Sequence, residues 1–340
     1  MDTADNITPL YTHDLIVVGA SAGGVEALST LVSRLPADFP AAVLVVLHSS
    51  AAAETQLHRV LGGHGRLPAK VAEHGEPIQR GQIYVAPSDQ HLLVRDEHIL
   101  LSRGPHENRH RPAVDTLFRS AAVAYRSRCV GIVLSGYLDD GSAGLRAIKR
   151  CGGKAMVQDP DDAMVADMPA SAARVVVVDY LLPVAGMGPV LARLAREPVE
   201  MLHEPPEEVV VEAGIAERVM SDIRSDQRLG QLVPVSCPEC GGPLWQVDSE
   251  TMERYRCHVG HAYTARALLA DQDNAVEQAL WVAMRTLEER ANILANMAER
   301  EEQQERPRIS SHLRERTQET RQHARVLREL IENHSRALAS

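Results

Sequence analysis

Aromatic residues make up only 3 % of this 340-residue chain, so a core has to be assembled from Val, Leu, Ala and Ile. Basic residues are outnumbered by acidic ones, 36 to 46, and the net charge of −10 counts against a nucleic-acid binder. No apolar run approaches the roughly 18 residues that span a bilayer. The stretch Met1 to His13 lacks the basic and apolar regions of a signal peptide. The expectation is a cytoplasmic protein with no membrane insertion. Cysteine is scarce and odd in number: Cys129 and Cys151 stand alone, while Cys237, Cys240 and Cys257 cluster. That excludes a disulfide framework and points to a metal site.

What is present is an alternation. From 14 to about 196, short Val/Ile/Leu runs predict strands at 14–18, 42–47, 82–86, 91–95, 98–102, 129–134, 154–157 and 175–178. Helical patterns fall at 23–34, 54–61, 113–126, 142–150 and 186–196. Runs such as Ala42–Leu47, apolar at every position, fit strands covered on both faces. The fold class is therefore α/β, a doubly wound, mainly parallel sheet. The pair 91–95 and 98–102 forms an inserted hairpin. A Met1–His13 tail precedes this domain of 14–196. An acidic, proline-bearing linker is expected at 197–232, with an edge strand at Val209–Val211. A compact cysteine unit follows at 233–265, then helices over 266–340. Their near-heptad stripe (Ala279, Leu280, Ala283, Leu287, Ala291, Leu294) suits either a hairpin packed on itself or a dimerising coiled coil.

The first strand runs into Gly19-Ala-Ser21-Ala-Gly23-Gly24. Such a turn serves a dinucleotide phosphate or a serine nucleophile. A dinucleotide loop needs a glycine where Ser21 stands and an acid ending the second strand, and that strand ends in Leu47-His48. Both specific elements are missing. The nucleophile reading needs a base and an acid at the same sheet edge. His48 follows the strand 42–47, and Ser135-Gly-Tyr-Leu-Asp139-Asp140-Gly141 follows the strand ending at Leu134. A serine hydroxyl attacks only when a neutral imidazole takes its proton and a carboxylate orients that imidazole. The order Ser…His…Asp differs from that of α/β-hydrolases.

These residues carry a resemblance. Val18–Gly24, the strand ending in His48, Gln82–Pro87, Arg109–Phe118, Leu134–Leu145, Gln158–Pro160 and Asp167–Pro169 together resemble the catalytic domain of the chemotaxis protein-glutamate methylesterase (CheB) family. The resemblance implies hydrolysis of glutamate methyl esters, and deamidation of glutamines, on a methylated protein such as a chemoreceptor. It implies Ser21 as nucleophile, His48 as base and Asp140 as orienting acid, with Asp139 and Asp115 as fallbacks. The N–H groups of His48 and Tyr137 would form the oxyanion hole, with Ala22, Arg111 and Asp115 beside the substrate. No cofactor is expected for the chemistry. Chemotaxis members usually carry a receiver domain ahead of this one. Here the chain opens on the catalytic strand, so that control is expected to be absent. Tyr137-Leu138 also replaces the usual Met-Gly of the acid loop. A competing reading is a domain that has lost catalysis and serves as a zinc-stabilised interaction module in signalling.

Cys237-Pro-Glu-Cys240 and Cys257-His258-Val-Gly-His261 have zinc-ribbon spacing, with hairpin strands expected between them. Cys237, Cys240, Cys257 and His261 make a closed, structural zinc site; His258 is the alternative fourth ligand.

Overall fold

A computed structural model describes residues 11–48, 56–199, 204–217, 230–247 and 252–338. The chain divides into two units, Met1–Leu268 and Leu269–Ser340.

In the first unit a two-residue strand β1 (Tyr11–Thr12) precedes β2 (Leu15–Ala20), α1 (Gly24–Ser33), β3 (Ala42–Leu47) and α2 (Leu57–His64). Next come β4 (Ala69–Val71), β5 (Ile83–Val85), the hairpin β6 (His91–Arg95) and β7 (His98–Ser102), and α3 (Val114–Tyr125). The alternation continues through β8 (Cys129–Val133), α4 (Ser142–Arg150), β9 (Lys154–Gln158), α5 (Asp167–Val175), β10 (Tyr180–Leu182) and α6 (Val184–Leu194). Seven strands form one sheet in the order β10-β9-β8-β2-β3-β5-β4, every pair parallel. Alternate residues of β2 point to opposite faces. Leu15 and Val17 join one core cluster with α3 and α4, while Ile16 and Val18 join another with α1 and α6. Both faces are covered, as the uninterrupted apolar runs require. The chain leaves β2 for β3 on one side and returns to β8 on the other. The strand order thus reverses at β2, where open α/β sheets gather ligands beyond the strand C-termini.

Three expectations fail here. The run 175–178 is not a strand: Val175 ends α5 and Val177 is 89 % exposed. The strand pairing β9 begins at Tyr180. Helix α5 carries Pro169 in its first turn, where proline costs nothing. The short β4 had no predicted counterpart. Finally, after a two-residue strand β11 (Pro198–Val199), the presumed linker folds as α7 (Glu207–Glu217). Its Val209 joins the α3 core, and its Glu212 is buried against Arg254 and Arg256. That buried charge conceals the helical pattern, and Val209–Val211 lies within a helix instead of an edge strand. The first residues of the helix predicted at 54–61 lie outside the described residues, as do parts of the tail, the linker and the cysteine unit.

The cysteine unit is a four-stranded antiparallel sheet: β12 (Gly230–Ser236), β13 (Pro243–Val247), β14 (Arg254–Cys257) and β15 (Ala262–Thr264). The second unit holds most of α8 (Ala265–Gln303) and α9 (Pro307–Leu338). Leu294, Ala298 and Leu313 pack together, and Arg328 pairs with Glu288, so the two helices run antiparallel. None of the helices is long and apolar enough to cross a membrane, among the described residues.

Candidate active site

Ser21 stands at the turn between β2 and α1. Gly23 takes a left-handed φ of 75°, and a side chain there would strike Met164 and the Ser135 hydroxyl. The turn is held by the Ser21 N–H donating to Ser135 O at 2.9 Å. Gly136 lies so close that an added Cβ would fall 2.7 Å from Ser21 Cβ. The loop after β8 therefore abuts the serine.

His48 follows β3, whose Leu47 is in register with Ala20 of β2. Ser21 and His48 are thus the next residues along two paired strands, about 5 Å apart in backbone spacing. The His48 Nε2 lies 2.8 Å from Asp140 Oδ2. Its Nδ1 is buried and has no hydrogen-bond partner among the described residues. One ring nitrogen is thus engaged by a carboxylate, while the other has no partner among the described residues.

Asp140 is 2 % exposed. Burial opposes its ionisation, but the His48 hydrogen bond and charge, the His110 ring and the Asn108 amide outweigh that and hold its carboxyl well below the usual range. It also accepts from the N–H groups of Val114, Asp115 and Gly141 at 2.7, 3.1 and 3.0 Å. Two of those donors open α3, so the carboxylate sits at a helix N-terminus, where negative charge is favoured. The other candidate acids lie elsewhere. Asp139 points away, accepts from the Thr264 hydroxyl at 2.7 Å and is pushed up by burial. Asp115 is buried, accepting from Asn108 Nδ2 and the Gly144 N–H. Burial and the Asp140 charge push it up to about 7. At 2 % exposure it presents almost no surface to a substrate.

The His48 N–H, expected in the oxyanion hole, donates to Ala20 O at 3.1 Å and is spent on the sheet. For Ala22 and Tyr137 N–H no such partner occurs among the described residues. The Tyr137 side chain is 62 % exposed at the rim. Arg111 is tied by Nε and an Nη to Asp89, at 2.8 and 2.6 Å, and by the other Nη to Gly104 O. Its fork is therefore occupied within the protein.

Two supporting residues escaped the sequence reading. The His110 ring lies flat on His48, centroids 3.6 Å apart, and burial with the His48 charge lowers it to about 3. Asn108 donates through Nδ2 to Asp140 and to Asp115, 2.9 Å each. Both belong to or adjoin the Arg109–Phe118 stretch. That nearness was the one available signal.

The fold is α/β, with Ser21, His48 and Asp140 following three adjacent strands, β2, β3 and β8. The family model described as CheB methylesterase matches residues 16–191, and the chain belongs to that family. A Leptospira interrogans protein, named provisionally as a protein-glutamate methylesterase/protein-glutamine glutaminase, is 37 % identical over 189 residues, covering 55 % of this chain and 98 % of that protein. The protein-glutamate methylesterase/protein-glutamine glutaminase 2 of Anaeromyxobacter dehalogenans is 38 % identical over 183 residues, 54 % of each. The chain thus spans about half the length of that relative. The crystal structure of the Thermotoga maritima CheB methylesterase catalytic domain matches with a TM-score of 0.52 at 32 % identity, over 53 % of this chain and 98 % of that one.

Away from this site, Cys237, Cys240, Cys257 and His261 bring their Sγ and Nδ1 atoms within 4.8 Å of one another. Cys240 and Cys257 Sγ are 3.6 Å apart, and His261 Nδ1 is 3.6 and 3.4 Å from Cys237 and Cys257. A tetrahedral ion with bonds near 2.3 Å sets its ligands about 3.7 Å apart, so this donor set fits zinc. His261 Nε2 lies 3.1 Å from Glu239, the carboxylate partner a metal-bound imidazole ordinarily has. His258 instead packs against Gly242, outside the four-atom cluster.

Proposed function

We propose that this protein is a protein-glutamate methylesterase and glutaminase acting on a methylated, chemoreceptor-like protein in the cytoplasm. Ser21 Oγ attacks the side-chain ester or amide carbonyl while His48 Nδ1 takes its proton. Asp140 fixes the imidazole and stabilises the imidazolium that forms. The N–H groups of Tyr137 and Ala22 receive the developing oxyanion. His48 then returns the proton to the leaving methanol or ammonia, and water, deprotonated by His48, hydrolyses the acyl-enzyme to glutamate. The observation that carries this reading is the buried His48–Asp140 bond, in register beside the serine turn. The cysteine sheet takes one structural zinc through Cys237, Cys240, Cys257 and His261 and supplies no group to the chemistry.

A fluorophosphonate probe should label the wild-type chain, and Ser21→Ala should abolish both labelling and methanol release from methylated receptor. A folded wild type that is neither labelled nor hydrolytic would sink the proposal. Metal analysis should return about one zinc per chain.

A further inference from the structure

The segment carrying Asn108 is gripped from two sides. On one side its amide holds the triad carboxylate, Asn108 Nδ2 donating to Asp140 Oδ1 at 2.9 Å. On the other side it is bound into the cysteine sheet. The Asn108 N–H donates to Ala262 O at 2.8 Å, and the Thr264 N–H donates to Asn108 Oδ1 at 3.0 Å. Asn108 is 4 % exposed and takes a left-handed φ of 49°. Its neighbour Glu107 is buried between Arg119 and Arg256, the latter at 3.0 Å and belonging to β14. Thr264 also donates through its hydroxyl to Asp139, the residue preceding the acid. Strand β15 thus touches the acid loop directly and through Asn108. The residues making these contacts, Arg256, Ala262 and Thr264, interleave in sequence with Cys257 and His261.

We propose that Asn108 is a positioning residue for Asp140 and that the cysteine sheet is its clamp, so that metal in the sheet sets the orientation of the triad. The proposal rests on the function and zinc ligands assigned above. Cys257 and His261 lie on the two strands of the β14–β15 hairpin and its turn. A metal joining them to Cys237 and Cys240 fixes where Ala262 and Thr264 present their backbone groups. Release of the metal frees that hairpin. Asn108 then loses both backbone partners, and Asp140 loses one of its fixed donors. A charged acceptor deprived of a well-placed donor is costly, so the effect should reach roughly ten- to a hundred-fold in rate. It falls on kcat, because the contact that is lost is to Asp140, which acts on His48 and not on the substrate.

The test is a cycle on the full-length protein with a methylated substrate. Asn108→Ala, with metal bound, should lower kcat ten- to a hundred-fold with KM little changed. Chelation of wild type should do the same and slow fluorophosphonate labelling in parallel. In Asn108→Ala, chelation should cost clearly less than it costs wild type, since the contact through Asn108 is already lost and only the direct Thr264–Asp139 bond remains to be released. A second measurement needs no turnover: the downfield Nε2–H proton of His48 should shift or broaden on chelation and recover with Zn²⁺. The two arms are independent, so misfolding of the variant leaves the wild-type arm decisive. The clamp is overturned if chelated wild type keeps its kcat and its His48 resonance, or if the two losses multiply. Inactive metal-loaded wild type would overturn the esterase reading instead, while the His48 resonance would still report on the clamp.

Discussion

His110 lies face to face with His48 and is held neutral by burial. A histidine whose folded value is depressed takes up its proton more readily when unfolded. Stability is therefore complete above about 6.5, and falls as pH drops towards about 3. His110→Phe keeps a flat ring on His48 and removes that proton. Its urea midpoint should vary less steeply with pH across this window than that of wild type. Leu138 supplies a second case. It takes a φ of 64°, a conformation costing a non-glycine residue roughly 1–2 kcal/mol. Leu138→Gly relieves that strain against roughly 0.5–1 kcal/mol of added unfolded-state entropy. A net gain of between zero and about 1.5 kcal/mol is expected in denaturant titration. At this scale Ser21 and His48 were legible because each directly follows a buried apolar run. The choice of Asp140 over Asp139 was not, since only the path of the turn through Leu138 and Gly141 decides which carboxylate faces His48. Asn108 and His110 were hidden for a related reason. Supporting a triad depends on what a residue touches across the fold, and no local spacing encodes that.

Among the elements, those with uninterrupted apolar runs were readable and those built on compensated charge were not. Strands β2 and β3 announce themselves because parallel strands covered on both faces need no alternation. Helix α7 does not. Its glutamates suggest a solvated tether, yet Glu212 is buried between Arg254 and Arg256. Burial alone would push Glu212 up, but those arginines and Arg119 pull it well down, so it is ionised in the fold. Glu212→Gln leaves buried guanidinium groups short of a partner. It should cost roughly 3 kcal/mol, read as a lower denaturation midpoint. The valines of 209–211 and 175–178 mislead in the same way. A β-branched run predicts a strand only where a sheet edge is available to pair with it, and neither meets one.

For the whole molecule, every residue of the proposed site and of the cysteine cluster falls within Met1–Leu268. A chain ending at Leu268 should retain zinc binding and ester hydrolysis within about two-fold, whereas one ending at Ser236 should lose zinc binding and, with the clamp on Asn108 gone, about ten- to a hundred-fold in rate. Stoichiometry by metal analysis and rates of methanol release would check this. The site itself stands on β8, β2 and β3, the third, fourth and fifth strands of seven. None of the three is an edge, and their residues are almost wholly buried. Amides in that position exchange with deuterium only when the entire sheet opens. Catalytic competence should therefore share the slowest exchange class of the protein, and in rising denaturant activity should persist until the global transition instead of fading ahead of it.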